Sequence, residues 1–166
     1  MTRAITARAL TRDAFAPFGD VIDMDGPQRF PINGGMCERI HDLAKVEAEG
    51  PDARVLISLF RGQPHAFPLT LRLVERHPLG SQAFMPLSPA PFLVVVCADT
   101  PDGPGEPQAF VTQPGQGVNY PRSRWHAVLT PIGAPQDFLV VDRGGDGNNL
   151  EEHLFPEPYE IRLPEA

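Results

Sequence analysis

The sequence predicts an all-β fold, a sandwich or barrel of short strands with one short helix near the N-terminus. Three observations carry that prediction. Proline (20) and glycine (15) together exceed their usual share of the 166 residues, and both interrupt regular structure, because proline removes a ladder donor and glycine supplies unusual φ. Sustained helical periodicity is missing. Short apolar stretches recur instead, at a spacing that fits turns between strands.

The elements follow in order along the chain. Thr11 is suited to cap a short helix running through Asp13, Phe15 and Phe18 and ended by Gly19. Strands are predicted over 55–60, 69–75, 81–85, 92–98, 108–112, 117–120, 125–129 and 138–142. The runs 92–97 and 138–141 are continuously apolar, as expected of strands covered on both faces. The Pro/Gly-rich segment 99–107 reads as a long hairpin loop. No repeat, low-complexity tract or inter-domain linker interrupts the pattern, so 1–166 reads as one domain with a real core.

Composition narrows the functional classes. A net charge of −7 argues against a nucleic-acid surface or an anionic membrane, since both need clustered basic residues. No apolar run is long enough to span a bilayer. The N-terminal basic residues precede no apolar region, which predicts no secretory signal. Cys37 and Cys97 make no disulfide framework, and Cys97 closes an apolar run where a small hydrophobe fits. The expectation is a reduced, cytoplasmic protein. Phosphate-loop and nucleophile-elbow motifs are absent from the sequence, as is a Cys-x-x-Cys pair.

Residues that could carry chemistry gather in two places. Residues two apart on a strand share a face, so Glu75 projects with His77, and Arg124 with His126. The turn Pro78-Leu-Gly80 follows, and Gln82 and Phe84 line the next strand. If Glu75, His77, Gln82 and His126 converge, they form a ring of one carboxylate, two imidazoles and one amide. Imidazole and carboxylate suit first-row divalent metals, whereas an amide is a weak ligand. The plain alternative is that His77 caps a turn and His126 is a core histidine beside Trp125. Tyr120 and Asn119 stand before Pro121 as candidate donors to a substrate. Arg61 and Arg143 each end an apolar strand, where a guanidinium can clasp a carboxylate with two parallel hydrogen bonds or simply be solvated. The Ile32-Asn33-Gly34 turn is a further, weaker candidate.

The stretches 73–84 and 114–126 resemble a degraded pair of cupin motifs. A cupin is a small antiparallel barrel of jelly-roll type whose first motif brings His-x-His and a Glu inside, and whose second brings one more His after a Pro-Gly turn. Here Glu75-x-His77 stands for His-x-His, Gln82 for the Glu, and His126 completes the set. These departures bear on the metal, not on the fold.

A closer resemblance is to the ureidoglycolate lyases. It rests on Ala14-Phe-Ala-Pro-Phe-Gly-Asp-Val-Ile22, Ile32-Asn-Gly34, Glu38-Arg-Ile-His-Asp-Leu-Ala44, Glu75-Arg-His-Pro-Leu-Gly-Ser-Gln-Ala-Phe84, Gly115-Gln-Gly-Val-Asn-Tyr120, Trp125-His126 and Asp137-Phe-Leu-Val-Val-Asp-Arg-Gly-Gly145. The resemblance implies cleavage of (S)-ureidoglycolate to glyoxylate and urea, and a homodimer. It implies no redox cofactor or covalent nucleophile, and leaves a divalent metal open. The site it implies draws on Glu75, His77, Gln82, His126 and Tyr120, with an arginine for the substrate carboxylate. Two alternatives belong to other classes: a non-catalytic cupin that binds a small acid, or a metal-dependent cupin oxygenase or isomerase. The missing His-x-His weighs against the oxygenase.

Overall fold

Two mostly antiparallel sheets face each other in the computed structural model, which describes residues 3–165. In chain order the elements are β1 (Arg3–Thr6), β2 (Arg8–Ala9), α1 (Arg12–Phe15), β3 (Asp20–Ile22), β4 (Arg29–Ile32), β5 (Cys37–Ile40), β6 (Arg54–Gly62), β7 (Leu69–Arg76) and β8 (Gln82–Pro86). There follow β9 (Phe92–Cys97), β10 (Asp99–Thr100), β11 (Gly103–Pro104), β12 (Gln108–Val111), β13 (Gly117–Tyr120), β14 (Trp125–His126), β15 (Thr130–Pro131), β16 (Gln136–Gly144) and β17 (Glu151–Arg162). The larger sheet runs β1-β17-β7-β14-β9-β12-β2, with β15 also on β9, and the smaller runs β3-β13-β8-β16-β6. Together they make the expected all-β, cupin-like barrel.

Alternation along β9 explains how the sheets are held. Phe92, Val94 and Val96 face the interior with Phe84, Val118, Phe138 and Val140 of the smaller sheet. Leu93 and Val95 point the other way, into a second cluster with Leu71, Tyr159 and Ile161. All six β9 residues are therefore buried, as an uninterrupted apolar strand requires. Thr11 caps α1 as predicted, its Oγ1 accepting from the Ala14 amide at 3.2 Å. The helix ends at Phe15, short of the expected Phe18, and with the turn that follows it places both rings in the interior cluster, Phe15 edge-on to Phe110 at 5.8 Å.

Several elements differ from the expectation. The strand predicted over 125–129 is split into β14 and β15. The loop predicted over 99–107 contains the short hairpin β10–β11. The twelve-residue β17 is an addition, hidden in the sequence because Pro156 and Pro158 break its alternation. Its register shifts between Leu154 and Tyr159, so the prolines fall where pairing to β7 lapses.

Arg143, near the end of β16, is buried and works for the fold. Its Nε donates to the Glu49 carbonyl (2.8 Å), Nη1 to Gly145 (3.0 Å), and Nη2 to Pro51 (3.1 Å) and Asp146 (2.6 Å). Gly80 lets this side chain pass, since a Cβ there would collide with the Arg143 Cβ. Arg143→Met should remove the four hydrogen bonds that this buried guanidinium makes to main-chain carbonyls and lower unfolding free energy by roughly 2–4 kcal/mol in urea titrations. A change in KM alone, at full stability, would contradict the assignment.

Candidate active site

The site forms where the chain crosses from one sheet to the other. Glu75 near the end of β7 lies directly across from His126 on β14, and His126 across from Val96 on β9. Val96 faces the interior, and residues paired across antiparallel strands share a face, so His126 and Glu75 face inward too. His77 follows β7 at once. After the crossing, Gln82 opens β8 opposite Tyr120 on β13. The ring read from the sequence is thus drawn from both sheets.

Three of the predicted groups close tightly. One ligand atom each from Glu75, His77 and His126 lie within 4.8 Å of one another. His77 Nε2 is 3.8 Å from Glu75 Oε1, and the two imidazole centroids are 5.3 Å apart. Tyr120 stacks flat on His126, with centroids 4.1 Å apart and an interplanar angle of 2°. Gln82 is buried, its amide donating to Asp142 Oδ2 at 3.3 Å.

Backbone carbonyls set the imidazole tautomers. His77 Nδ1 lies 2.8 Å from the Asn149 carbonyl and His126 Nδ1 lies 2.9 Å from that of Ala127. A carbonyl only accepts, so each Nδ1 carries the proton and, in the neutral imidazole, each Nε2 keeps a lone pair. Both Nε2 atoms are buried without a partner in the protein. Two oriented lone pairs beside a carboxylate suit a divalent first-row ion.

Burial also tunes the acid–base groups. It drives the His126 pKa down to about 3, with the approach of His77 adding to the fall and the Ala127 bond opposing it. Burial raises the Glu75 carboxyl above its ordinary range, His77 counteracts this, and Glu152 across the strand pair raises it further. Burial likewise pushes the Tyr120 phenol up, with the charge of Glu75 reinforcing it, so the phenol stays neutral.

The other predicted residues lie elsewhere. Arg61 forms a two-pronged ion pair with Asp137 (2.7 and 2.9 Å), directly opposite it on the β6–β16 ladder. That is the end of β16 away from Asp142, and the structure does not bring Arg61 to the cluster. Arg143 is committed to the four carbonyls described above. Asn33 is exposed at the tip of the β4–β5 hairpin with φ 53°, and Asn119 donates to Asp20 Oδ2 (3.0 Å) and the Lys45 carbonyl (3.3 Å). Asn149 is a contributor that sequence reasoning misses. Its carbonyl holds His77 while its Oδ1 accepts from the Leu79 amide at 2.8 Å, and only the surrounding Gly/Asp/Asn turn hints at a role.

Fold and cluster together define a cupin-like barrel with a two-histidine, one-carboxylate centre. A family model described as ureidoglycolate lyase matches residues 2–162, and the chain belongs to that family. It is 70% identical to a ureidoglycolate lyase of Mesorhizobium japonicum over 164 residues, 99% of this chain and all of that protein. One from Chelativorans is 67% identical over 163 residues, 98% and 99% of the two chains. One from Agrobacterium fabrum is 52% identical over 164 residues, 99% of each.

The depressed His126 pKa has a consequence for stability. The unfolded chain takes up a proton on this imidazole near the ordinary histidine value of 6.5, whereas the folded chain does so only near 3. Stability from this group is therefore present above pH 6.5 and falls as the pH drops below it, by up to roughly 1.4 kcal/mol per unit. Chelator-treated protein should show this loss in urea titrations between pH 6.5 and about 4.5, and His126→Phe should flatten it. An unchanged slope in His126→Phe would assign the acid sensitivity to another group.

Proposed function

We propose that the protein is a ureidoglycolate lyase, cleaving (S)-ureidoglycolate to glyoxylate and urea. The observation that carries this reading is the convergence of Glu75, His77 and His126 within 4.8 Å in a barrel of the ureidoglycolate lyase family. The substrate is a carbinolamide, one carbon bearing hydroxyl, carboxylate and ureido nitrogen. Cleavage takes the hydroxyl proton, forms the aldehyde C=O as the C–N bond breaks, and returns a proton to the departing nitrogen. Oxygen and nitrogen share one carbon, so a single group can move the proton between them. Glu75, made more basic by burial, is the group proposed for that transfer, which is typically worth ~10²–10⁴-fold. His77 and His126, with Nε2 lone pairs turned inward, accept from the substrate's hydroxyl or ureido N–H groups or hold a metal, and Tyr120 keeps the His126 ring in plane.

His77 Nε2, His126 Nε2 and Glu75 are proposed as the ligands that would hold a divalent ion, which would supply Lewis acidity to the substrate oxygens. The chain is proposed to form one domain and to act in the cytoplasm as part of purine (allantoin) breakdown. Free thiols at Cys37 and Cys97 favour a reducing compartment, and no helix among the described residues is long and apolar enough to cross a membrane. A homodimer is proposed through β6, the outermost strand of the smaller sheet. Its alternate residues Val55, Ile57 and Leu59 are 52%, 74% and 70% exposed, an apolar edge that pairing would cover.

Fresh ureidoglycolate incubated with the protein should give glyoxylate and urea in equal amounts without ammonia. Ammonia in place of urea would mean an amidohydrolase, and glyoxylate binding without turnover a non-catalytic binder. His126→Ala should lower kcat by roughly 10²-fold or more in protein that remains folded. Metal titration should give one divalent ion per chain, lost in His77→Ala. For the dimer, light scattering should report twice the chain mass, and Ile57→Lys should shift it to the monomer.

A further inference from the structure

The substrate carboxylate needs a cationic partner near the cluster, and most arginines around it are already engaged. Arg143 holds four carbonyls. Arg76 lies over the Trp125 ring and pairs with Glu151 and Asp99. Arg122 pairs with Glu49. Arg124 differs from all three. Among the described residues its side chain makes no hydrogen bond or ion pair, and its Nε is buried without a partner. The other unpaired arginines, Arg39, Arg54 and Arg72, are exposed, whereas Arg124 is half-buried.

Its place in the chain puts it beside the site. Arg124 ends the turn that leads into β14, two residues before the inward-facing His126, while Trp125 between them packs with Val74 and Cys97 on the outward side of the larger sheet. The 121–124 turn is fastened to the cluster, the Ser123 amide donating to the His77 carbonyl at 3.0 Å. A buried guanidinium nitrogen left unpaired is costly, and a ligand carboxylate would satisfy it in the two-pronged geometry this group favours.

We infer that Arg124 holds the substrate's carboxylate and so makes the site select an acid over its neutral counterpart. This rests on the lyase reading above and adds the residue that determines specificity. Two stable probes separate the terms: ureidoacetate, which is the substrate without its hydroxyl, and its neutral amide, ureidoacetamide. By calorimetry the wild-type protein should bind the acid at least about 20-fold more tightly than the amide. Arg124→Gln should abolish that preference, and Arg124→Lys should restore part of it. With ureidoglycolate, Arg124→Gln should raise KM by roughly 20-fold or more while kcat changes far less. Phenylglyoxal modification of the wild-type protein gives a reading that needs no variant to fold. Mass spectrometry should find Arg124 protected by ureidoacetate and not by ureidoacetamide.

An acid preference retained in Arg124→Gln, or equal modification of Arg124 with either probe, overturns the inference and leaves the lyase reading standing. Wild-type protein that releases no urea from ureidoglycolate overturns the lyase reading, and the inference falls with it.

Discussion

Two hydrogen bonds to main-chain carbonyls govern this site. Because the Asn149 and Ala127 carbonyls each accept a hydrogen bond from an imidazole Nδ1–H, both Nε2 lone pairs are fixed in the interior before any ligand arrives. Neutral imidazoles in the other tautomer would present N–H groups there, and neither a metal nor a proton in transit could be held. Burial reinforces the arrangement by keeping His126 uncharged. The main-chain acceptors themselves are secured by the fold. Asn149 is anchored through its own side chain to the Leu79 amide, and the Ala127 amide is bonded to the Val95 carbonyl of the central strand β9. The chemistry thus depends on where the β7–β8 crossing meets the segment after β16.

Much of the architecture is legible in the sequence because strand parity is a local property. Glu75 and His77 can be placed on one side, and Gln82 on the following strand, without any tertiary knowledge. Cupin motif spacing then leads to the expectation that His126 joins them, whereas the pairing of His126 with Glu75 and of Tyr120 with Gln82 is seen only in the structure. Arginine roles are not legible, for a physical reason. A guanidinium at a strand end looks the same in sequence whether it meets a carboxylate across a ladder, as Arg61 meets Asp137, or four carbonyls, as Arg143 does. Which one occurs depends on loops that arrive from distant parts of the chain. Asn149 is missed on the same grounds, since its contribution is a carbonyl that every residue type possesses. β17 stays hidden because two prolines mask an otherwise paired strand.

The acidic composition and the arginine-rich cation set make sense together at this scale. The larger sheet brings Glu152 across from Glu75, so like charges sit near each other at the cluster and raise the basicity of the inner carboxylate. In solvent such repulsion would be screened. Burial is the larger cause of the rise, and it makes Glu75 a better proton acceptor without a specialised residue.

The flat contact between Tyr120 and His126 also gives the molecule an internal reporter. A phenol ring lying parallel over an imidazole shields the protons above its face, so the carbon-bound protons of His126 should resonate upfield of those of His77, whose ring is not stacked in this way. The two imidazoles, chemically alike and neighbours in space, are thereby distinguishable in solution. Occupation of one nitrogen by a ligand can then be told from occupation of the other without altering either residue.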